Sequence, residues 1–321
     1  MLNRVFVTGC AGFIGSNLCN YLADMAFDIV GIDNLSTGRI KNIQKLIDEK
    51  AMTFYKEDLT TLPVEYLAGY MRGCSTVYHL SANADVRFGL SHTDRDMIQN
   101  TLVTHRVLEA MRLSNTRKIV FTSTGSVYGD TKVVRTPENA PFPMQTSLYG
   151  ASKLACEGMI EAYCEGFGIS ATILRLVGIL GKNYSHGHII DFYRQLKEHP
   201  EYLTILGNGS QVKSYLHVND CIHGMVQLAC YEGDPPIAQI FNLGTEGTIT
   251  VTESASIIAD AMGVHPEFMY ASKNNRGWIG DNPLIYLDCF KANAHGWFPK
   301  EGIRQSIVDT VNYLQEEHEK T

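Results

Sequence analysis

The stretch Met1-Leu-Asn-Arg-Val5-Phe-Val-Thr-Gly9-Cys-Ala-Gly12-Phe-Ile-Gly15-Ser-Asn-Leu-Cys-Asn20 decides the fold. Val5, Phe6 and Val7 make the short apolar run of a buried parallel strand, and Thr8 to Gly15 follow with glycines at 9, 12 and 15. The order is strand, tight turn, helix start. In such a turn Gly9 permits the sharp reversal, Gly12 lets the backbone approach a pyrophosphate, and Gly15 lets the helix lie close on the strand. The first-turn amides, those of Phe13 and Ile14 included, then point at the phosphates. Taken alone, the pattern also fits an ordinary strand-helix turn.

A second apolar strand, Asp28-Ile-Val-Gly-Ile-Asp33, ends in an acid 18 residues after Gly15. A carboxylate at that distance accepts both ribose hydroxyls of an adenosine, so turn and acid together signal NAD. A 2'-phosphate would meet like charge there, and the nearby Arg39 is secondary to Asp33.

The chain has 321 residues, 45% of them hydrophobic, enough to bury a sizeable core. A net charge of -7, with no basic cluster, argues against nucleic acid as a partner. Cysteines at 10, 19, 74, 156, 164, 221, 230 and 289 include no Cys-x-x-Cys pair, so neither a zinc site nor a disulfide framework is indicated and a reducing cytoplasm is expected. The chain enters its first strand without a signal-peptide pattern, and no apolar run reaches bilayer length, so no membrane partner is expected.

Strand-like segments near 4 to 8, 28 to 33, 52 to 55, 76 to 80, 117 to 123 and 171 to 177 alternate with helical patterns near 15 to 25, 40 to 48, 64 to 71, 95 to 114 and 149 to 167. This alternation predicts an α/β fold, a doubly wound parallel sheet of the Rossmann type, with its ligand across the carboxyl ends of the strands. Residues 1–180 form the expected nucleotide-binding domain, which carries the catalytic residues. Beyond 180, Gly, Pro and Asn accumulate around 181 to 188, 207 to 210, 233 to 236 and 274 to 283, which predicts a smaller substrate-binding lobe over 181–321 with segments returning to the main sheet. The polar tail from Glu316 is expected to fray.

Tyr149-Gly-Ala-Ser-Lys153 opens a helix, and its four-residue spacing puts phenol and ammonium on one face, one turn apart. A nearby ammonium and an oxidised nicotinamide both favour the phenolate, so Tyr149 is the candidate base and Lys153 its partner. The strand Lys118–Ser123 runs into Thr124-Gly-Ser126, which presents hydroxyls at a strand's carboxyl end, and Thr124 is placed to hold a substrate oxygen.

These residues resemble those of the extended short-chain dehydrogenase/reductases of the NAD-dependent sugar epimerase and dehydratase type, most of all the UDP-glucose 4-epimerases of the compact archaeal type. The resemblance spans nearly the whole chain. It rests on Thr-Gly-x-x-Gly-x-x-Gly at 8 to 15, Asp-Asn-Leu-Ser-Thr-Gly at 33 to 38, Asp58-Leu59, His79-Leu-Ser-Ala82, Asn100, Thr124, and Tyr149 with Lys153. Late markers are Gly207–Asp220, Asn242-Leu-Gly244, Arg276-Gly-Trp-Ile-Gly-Asp281 and Gly296-Trp-Phe-Pro299. The resemblance implies NAD contacts from Gly9, Gly12, Phe13, Ile14, Gly15, Asp33, Asn34, Ser36, Thr37, Gly38, Asp58, Leu59, Leu80, Ala82, Asn100, Thr122, Tyr149, Lys153 and Leu176. It implies contacts to a nucleotide sugar from Asp85, Arg87, Thr124, Ser126, Tyr149, Gly178, His188, Lys213, Arg276 and Asp281. Helices 95 to 114 and 150 to 167 carry more apolar positions than one sheet face requires, and in the family they pair with their copies, which implies a homodimer.

Departures from the family pattern narrow the reading. The 4,6-dehydratases place Asp-Glu after the catalytic threonine, whereas here Gly125-Ser126 stands there and dehydration lacks its acid and base. Many members read Arg-Tyr-Phe-Asn where this chain reads Arg175-Leu-Val-Gly178, so one substrate hydrogen bond is missing: either the pocket is roomier, for a bulkier or acidic sugar, which is the outcome expected, or another group such as Arg87 or Ser126 takes over the contact. Lys213 replaces a common arginine and gives up its bidentate fork. Arg276 is offset by two residues from the usual spacing, so whether it or another residue grips the diphosphate stays open. Arg87 either touches the sugar or is solvated. His186 and His188 beside Asp191 are read as a nucleotide-contacting loop and not as metal ligands, and Cys156 and Cys164 as packing residues.

The expected activity is 4-epimerisation of a UDP-linked hexose or hexuronate through a transient 4-keto sugar. Another oxidoreductase or decarboxylase of the same family is the alternative, and a non-catalytic binding protein would not be expected to keep both Tyr149 and Lys153.

Overall fold

Strands whose residues are apolar on both faces need cover on both sides, and the chain supplies it with helices between successive strands. The computed structural model describes residues 4–83, 85–142, 144–229 and 238–319. Cys230, the 233 to 236 segment and the last two residues lie outside the described residues. The elements run β1 (Arg4–Thr8), α1 (Phe13–Asp24), β2 (Asp28–Asp33), α2 (Gln44–Asp48), β3 (Met52–Lys56), α3 (Val64–Met71), β4 (Thr76–His79), α4 (Val103–Ser114), β5 (Lys118–Thr124), α5 (Leu148–Phe167) and β6 (Ser170–Leu176). After these come β7 (Gly178–Leu180), α6 (His188–Glu198), β8 (Tyr202–Ile205), β9 (Val212–Lys213), β10 (Tyr215–His217), α7 (Val218–Ala229), β11 (Ala238–Leu243), β12 (Ile249–Thr250), α8 (Val251–Met262), β13 (Glu267–Tyr270), β14 (Leu284–Ile285), α9 (Phe290–Ala294) and α10 (Ile303–Glu319).

Seven strands make one parallel sheet in the order β11-β6-β5-β4-β1-β2-β3. The order reverses between β1 and β4, the switch point where doubly wound sheets bind their ligand. Alternation along β1 divides the core. Val5 and Val7 join Leu18, Leu22 and Ile29 on one face, while Phe6 joins Val30, Leu67, Val107, Phe121 and Ile160 on the other. The seventh strand, β11, returns from the second half of the chain to pair with β6.

The other strands of the second half form three smaller sheets. β7 pairs in parallel with β10, placing Gly178 opposite Tyr215. β9 lies between β12 and β14, and β8 pairs with β13. Asp220 ties the C-terminal segment down: its carboxylate accepts the Lys300 and Glu301 amides at 2.9 Å each, and its carbonyl accepts the indole N–H of buried Trp297.

Three local expectations are corrected. The helix expected over 95 to 114 begins as a wider π turn, Met97–Leu102, which brings Asn100 into the interior before α4 continues. The helix expected over 40 to 48 is interrupted at Ile43, where a one-turn 3-10 segment (Ile40–Asn42) gives way to α2. The tail expected to fray from Glu316 is helical through Glu319, held by Leu314 in the core and by Lys41 against Glu317.

Candidate active site

At the carboxyl ends of β1 and β4 the glycine turn is drawn tight by a buried polar knot. Thr8 Oγ1 accepts the amides of Leu80 and Ser81 at 3.0 and 3.1 Å and lies 2.8 Å from His79 Nδ1. With its lone pairs taken, the Thr8 hydroxyl donates to Nδ1, so the imidazole proton sits on Nε2 and is given to Thr104, 3.0 Å away. Burial first, and then the charge of Lys153, pushes His79 down to about 3, which keeps it neutral.

Above this knot Gly9 has φ +68°, and a Cβ on Gly15 would run into the Gly9 carbonyl oxygen. The first turn of α1 has no side-chain cap and no acidic residue, so its amides are free to meet an anion. Asp33 stands next to this cradle. Its two carboxylate oxygens accept the amides of Ala11 (3.0 Å) and Leu35 (2.8 Å), and burial raises its carboxyl above the usual range. Asn34 reaches Asp58 at 3.1 Å, and Asp58 also accepts from Thr60, contacts that hold its carboxyl below the usual range despite partial burial. Glycine cradle, uncapped helix and acid are the donor and acceptor set that a dinucleotide requires.

A cavity of about 1290 Å³ runs from this cradle, across the ends of β4, β5 and β6, to β7, β9 and β10. Of the cofactor residues expected from the sequence, it is lined by Gly9, Gly12, Phe13, Ile14, Gly15, Asp33, Asn34, Ser36, Thr37, Asp58, Leu59, Leu80, Ala82, Thr122, Tyr149, Lys153 and Leu176. Gly38 and Asn100 are not in the lining. Gly38 passes over Asp33, where a Cβ would lie 2.8 Å from its carboxylate. Asn100 works from behind: it accepts the Asn83 amide (2.8 Å) and donates to Ser152 Oγ (2.9 Å), and Ser152 donates to the Tyr149 carbonyl (2.8 Å). Buried Asp96 joins the same cluster by accepting from Asn83 Nδ2 at 2.8 Å, and burial raises its carboxyl.

Thr124, Tyr149 and Lys153 meet in the middle of the cavity. Ser147 caps α5 by accepting the Gly150 amide, which sets the first turn that carries Tyr149. Lys153 is buried, donates to the Thr122 carbonyl at 2.9 Å, and is pulled down to about 8 by burial. The expectation that the ammonium would favour a phenolate is not met in the protein alone. Burial pushes Tyr149 up to about 12, and the lowering contribution comes from a hydrogen bond with Thr124.

In the substrate half the lining includes Asp85, Arg87, Ser126, Gly178, His188, Lys213 and Asp281. Arg87 is bound at both ends by carboxylates, Asp85 at 3.4 Å and Asp191 at 3.2 Å. Lys213 donates to Asp281 at 2.9 Å and to the Asn282 carbonyl, and burial lowers its ammonium. Arg276 is outside the lining, where it binds Asp130 and the Asp281 carbonyl at 2.6 Å each. His188 gives or takes a hydrogen bond with Ser254 (2.8 Å) and is driven down to about 4 by burial, so it is neutral. Among the described residues no cluster of His, Cys, Asp or Glu is arranged to hold a metal.

The roomier pocket expected at Gly178 is a correction. A Cβ there would lie 2.7 Å from Cδ1 of Tyr215, so the space left by the absent side chain is filled by that ring. Tyr184 and Ile285, which no sequence motif marks, also line the cavity, as do Gln211, Tyr215 and Trp278, which the late markers contain without a role assigned to them. Tyr215 falls within the quoted Gly207–Asp220 marker, but only the pairing of β7 with β10 brings it onto Gly178.

Residues 5–244 match the NAD dependent epimerase/dehydratase family. The chain belongs to that family. An uncharacterized UDP-glucose epimerase of Bacillus subtilis strain 168 is 32% identical over 97% of this chain and 98% of its own length. Among solved structures, a UDP-galactose 4-epimerase superposes with a TM-score of 0.87 at 31% identity, covering 98% of this chain and 99% of the other. A UDP-glucuronic acid 4-epimerase from Bacillus cereus, solved with UDP-glucuronic acid and NAD, gives 0.88 at 26% identity with the same coverage. The family's cofactor, NAD, fits the cradle and the acid described above.

Proposed function

We infer that this family member interconverts the C4 epimers of a UDP-linked hexose or hexuronate, with residues 1–180 holding NAD and the catalytic groups and 181–321 mainly holding the sugar nucleotide. The observation that carries the reading is one continuous cavity joining the glycine cradle and Asp33 to Thr124, Tyr149 and Lys153, with Gly125 and Ser126, not an acid-base pair, following Thr124. A Cβ at Gly125 would touch Ile285 at 3.3 Å and Leu287 at 3.4 Å, so an acidic side chain there would meet apolar neighbours.

Tyr149 removes the proton of the 4-hydroxyl and returns it after the 4-keto sugar has turned over, while Thr124 holds the oxygen on which charge develops. Lys153, fixed by the Thr122 carbonyl, stands one helical turn from Tyr149 on the same helix. NAD, when bound, would supply the acceptor and donor of the C4 hydride and, when oxidised, a positive charge that would favour the phenolate. Asp33 selects the ribose end, and Lys213 with Asp281 organises the nucleotide end of the lobe. Seven described cysteines are free and buried, which supports a reducing cytoplasm as the compartment. The exposed apolar residues of the π turn and α4 support pairing with a second copy.

The purified protein should convert UDP-glucose or a related UDP-hexose to its C4 epimer without accumulating NADH, followed by NMR and absorbance together. Formation of a 4-keto-6-deoxy product, or a stoichiometric rise in NADH, would exclude the reading.

A further inference from the structure

Tyr215 is 7% exposed and sits opposite Gly178 in the parallel register of β7 and β10, with its ring over the glycine. It stacks on His188 with centroids 5.2 Å apart and 26° between planes. Among the described residues its hydroxyl has only long contacts, 3.5 Å to Nδ1 and 3.4 Å to Nε2 of His188, while a phenol ordinarily finds a partner near 2.8 Å. His188 commits Nε2 to Ser254 at 2.8 Å. Tyr215 is thus nearly buried and lines the cavity, and its hydroxyl lacks a short partner among the described residues, a condition that costs free energy until a ligand supplies one.

The charges around it are already matched. Arg87 is held between Asp85 and Asp191, and Lys213 by Asp281. A sugar bearing its own carboxylate would have to compete with Asp85, Asp191 and Asp281 for Arg87 and Lys213.

Resting on the epimerase reading, we propose that Tyr215 sets the sugar selectivity of this site: its ring closes the room over Gly178 against bulkier sugars, its hydroxyl hydrogen-bonds the bound sugar nucleotide, and the substrate class is a neutral, unsubstituted UDP-hexose. A purely structural tyrosine covering a strand glycine would make the same stack, so the test must read selectivity apart from stability.

Calorimetric titration of NAD-loaded protein with UDP-glucose, UDP-N-acetylglucosamine and UDP-glucuronate reads this directly, and turnover measured in parallel reports separately on the epimerase reading. Wild type should bind UDP-glucose at least about tenfold more tightly than the other two, the scale on which a filled pocket rejects extra atoms. Tyr215→Ala should raise the relative affinity for UDP-N-acetylglucosamine by about tenfold. Tyr215→Phe, which keeps the ring and the fold, should weaken UDP-glucose about threefold to tenfold with the ratio between the two neutral sugars unchanged. Equal wild-type affinities, a Tyr215→Ala ratio within twofold of wild type, or a Tyr215→Phe affinity for UDP-glucose equal to wild type would each overturn the proposal. If Tyr215→Ala fails to fold, the Phe variant and the wild-type ratios still decide it. Binding that supports the proposal beside absent turnover would sink only the epimerase reading.

Discussion

At Tyr149 the cost of burying a charge outweighs the help from its neighbours: the phenol rises to about 12 even with Thr124 bonded to it, and the ammonium of Lys153 falls to about 8. Tyr149→Phe should therefore remove the proton acceptor and leave the cradle untouched. We expect turnover to fall at least about a hundredfold with bound NAD retained, checked by steady-state rates and by the dinucleotide released on denaturation. Asp33 carries the second prediction. Its carboxylate is held by two amides at the edge of the cradle, so titration of apoprotein should show NAD binding well ahead of NADP, and Asp33→Ala should narrow that gap. Equal binding of both dinucleotides to wild type would remove Asp33 from this role. Both residues were legible in the sequence because their meaning is local: a four-residue helical spacing, and an acid at the end of the second strand. Tyr215 was not legible, because its contact with Gly178 depends on which strands pair and in what register.

Among the elements, the strands of the main sheet read clearly because burial on both faces makes each a continuous apolar run. The π turn did not, because what holds it is a set of polar contacts from Asn100 to residues distant in sequence, Asn83 and Ser152. The junction of β1, β4 and α4 at His79 has a consequence for stability. His79 is held near 3 and His188 near 4, against about 6.5 when unfolded, so each takes up a proton on unfolding at acidic pH. The unfolded state then binds more protons, and the stability these rings contribute is present above 6.5 and is lost as pH falls through that value toward the folded ones. Each ring adds at most about 1.4 kcal/mol per pH unit to that slope. Urea unfolding between pH 7 and 5 should show stability falling with pH, and His79→Gln should flatten the fall by about that amount below pH 6. An identical slope in the variant would mean that His79 is protonated in the folded chain.

For the whole molecule, the same helices that position the chemistry leave an uncovered apolar face. Met97 is 67% exposed, Leu102 42% and Ile98 37%, all on the π turn or where it enters α4. On α5, Ala155, Gly158 and Ala162 are exposed, small, and spaced to let another helix approach closely. An isologous pairing about a two-fold axis would bury each of these residues twice, and the fraction still exposed on Leu102 or Ile98 is worth roughly 1 kcal/mol per side chain. Several such terms from both copies must exceed the cost of association, which is why two charges should suffice to prevent it. Sedimentation velocity at micromolar concentration should give a dimer for wild type and a monomer for Ile98→Glu combined with Leu102→Glu, with unchanged far-ultraviolet circular dichroism. A monomeric wild type, or a variant that still dimerises, would place the partner surface elsewhere and leave this face as exposed apolar surface without a second copy.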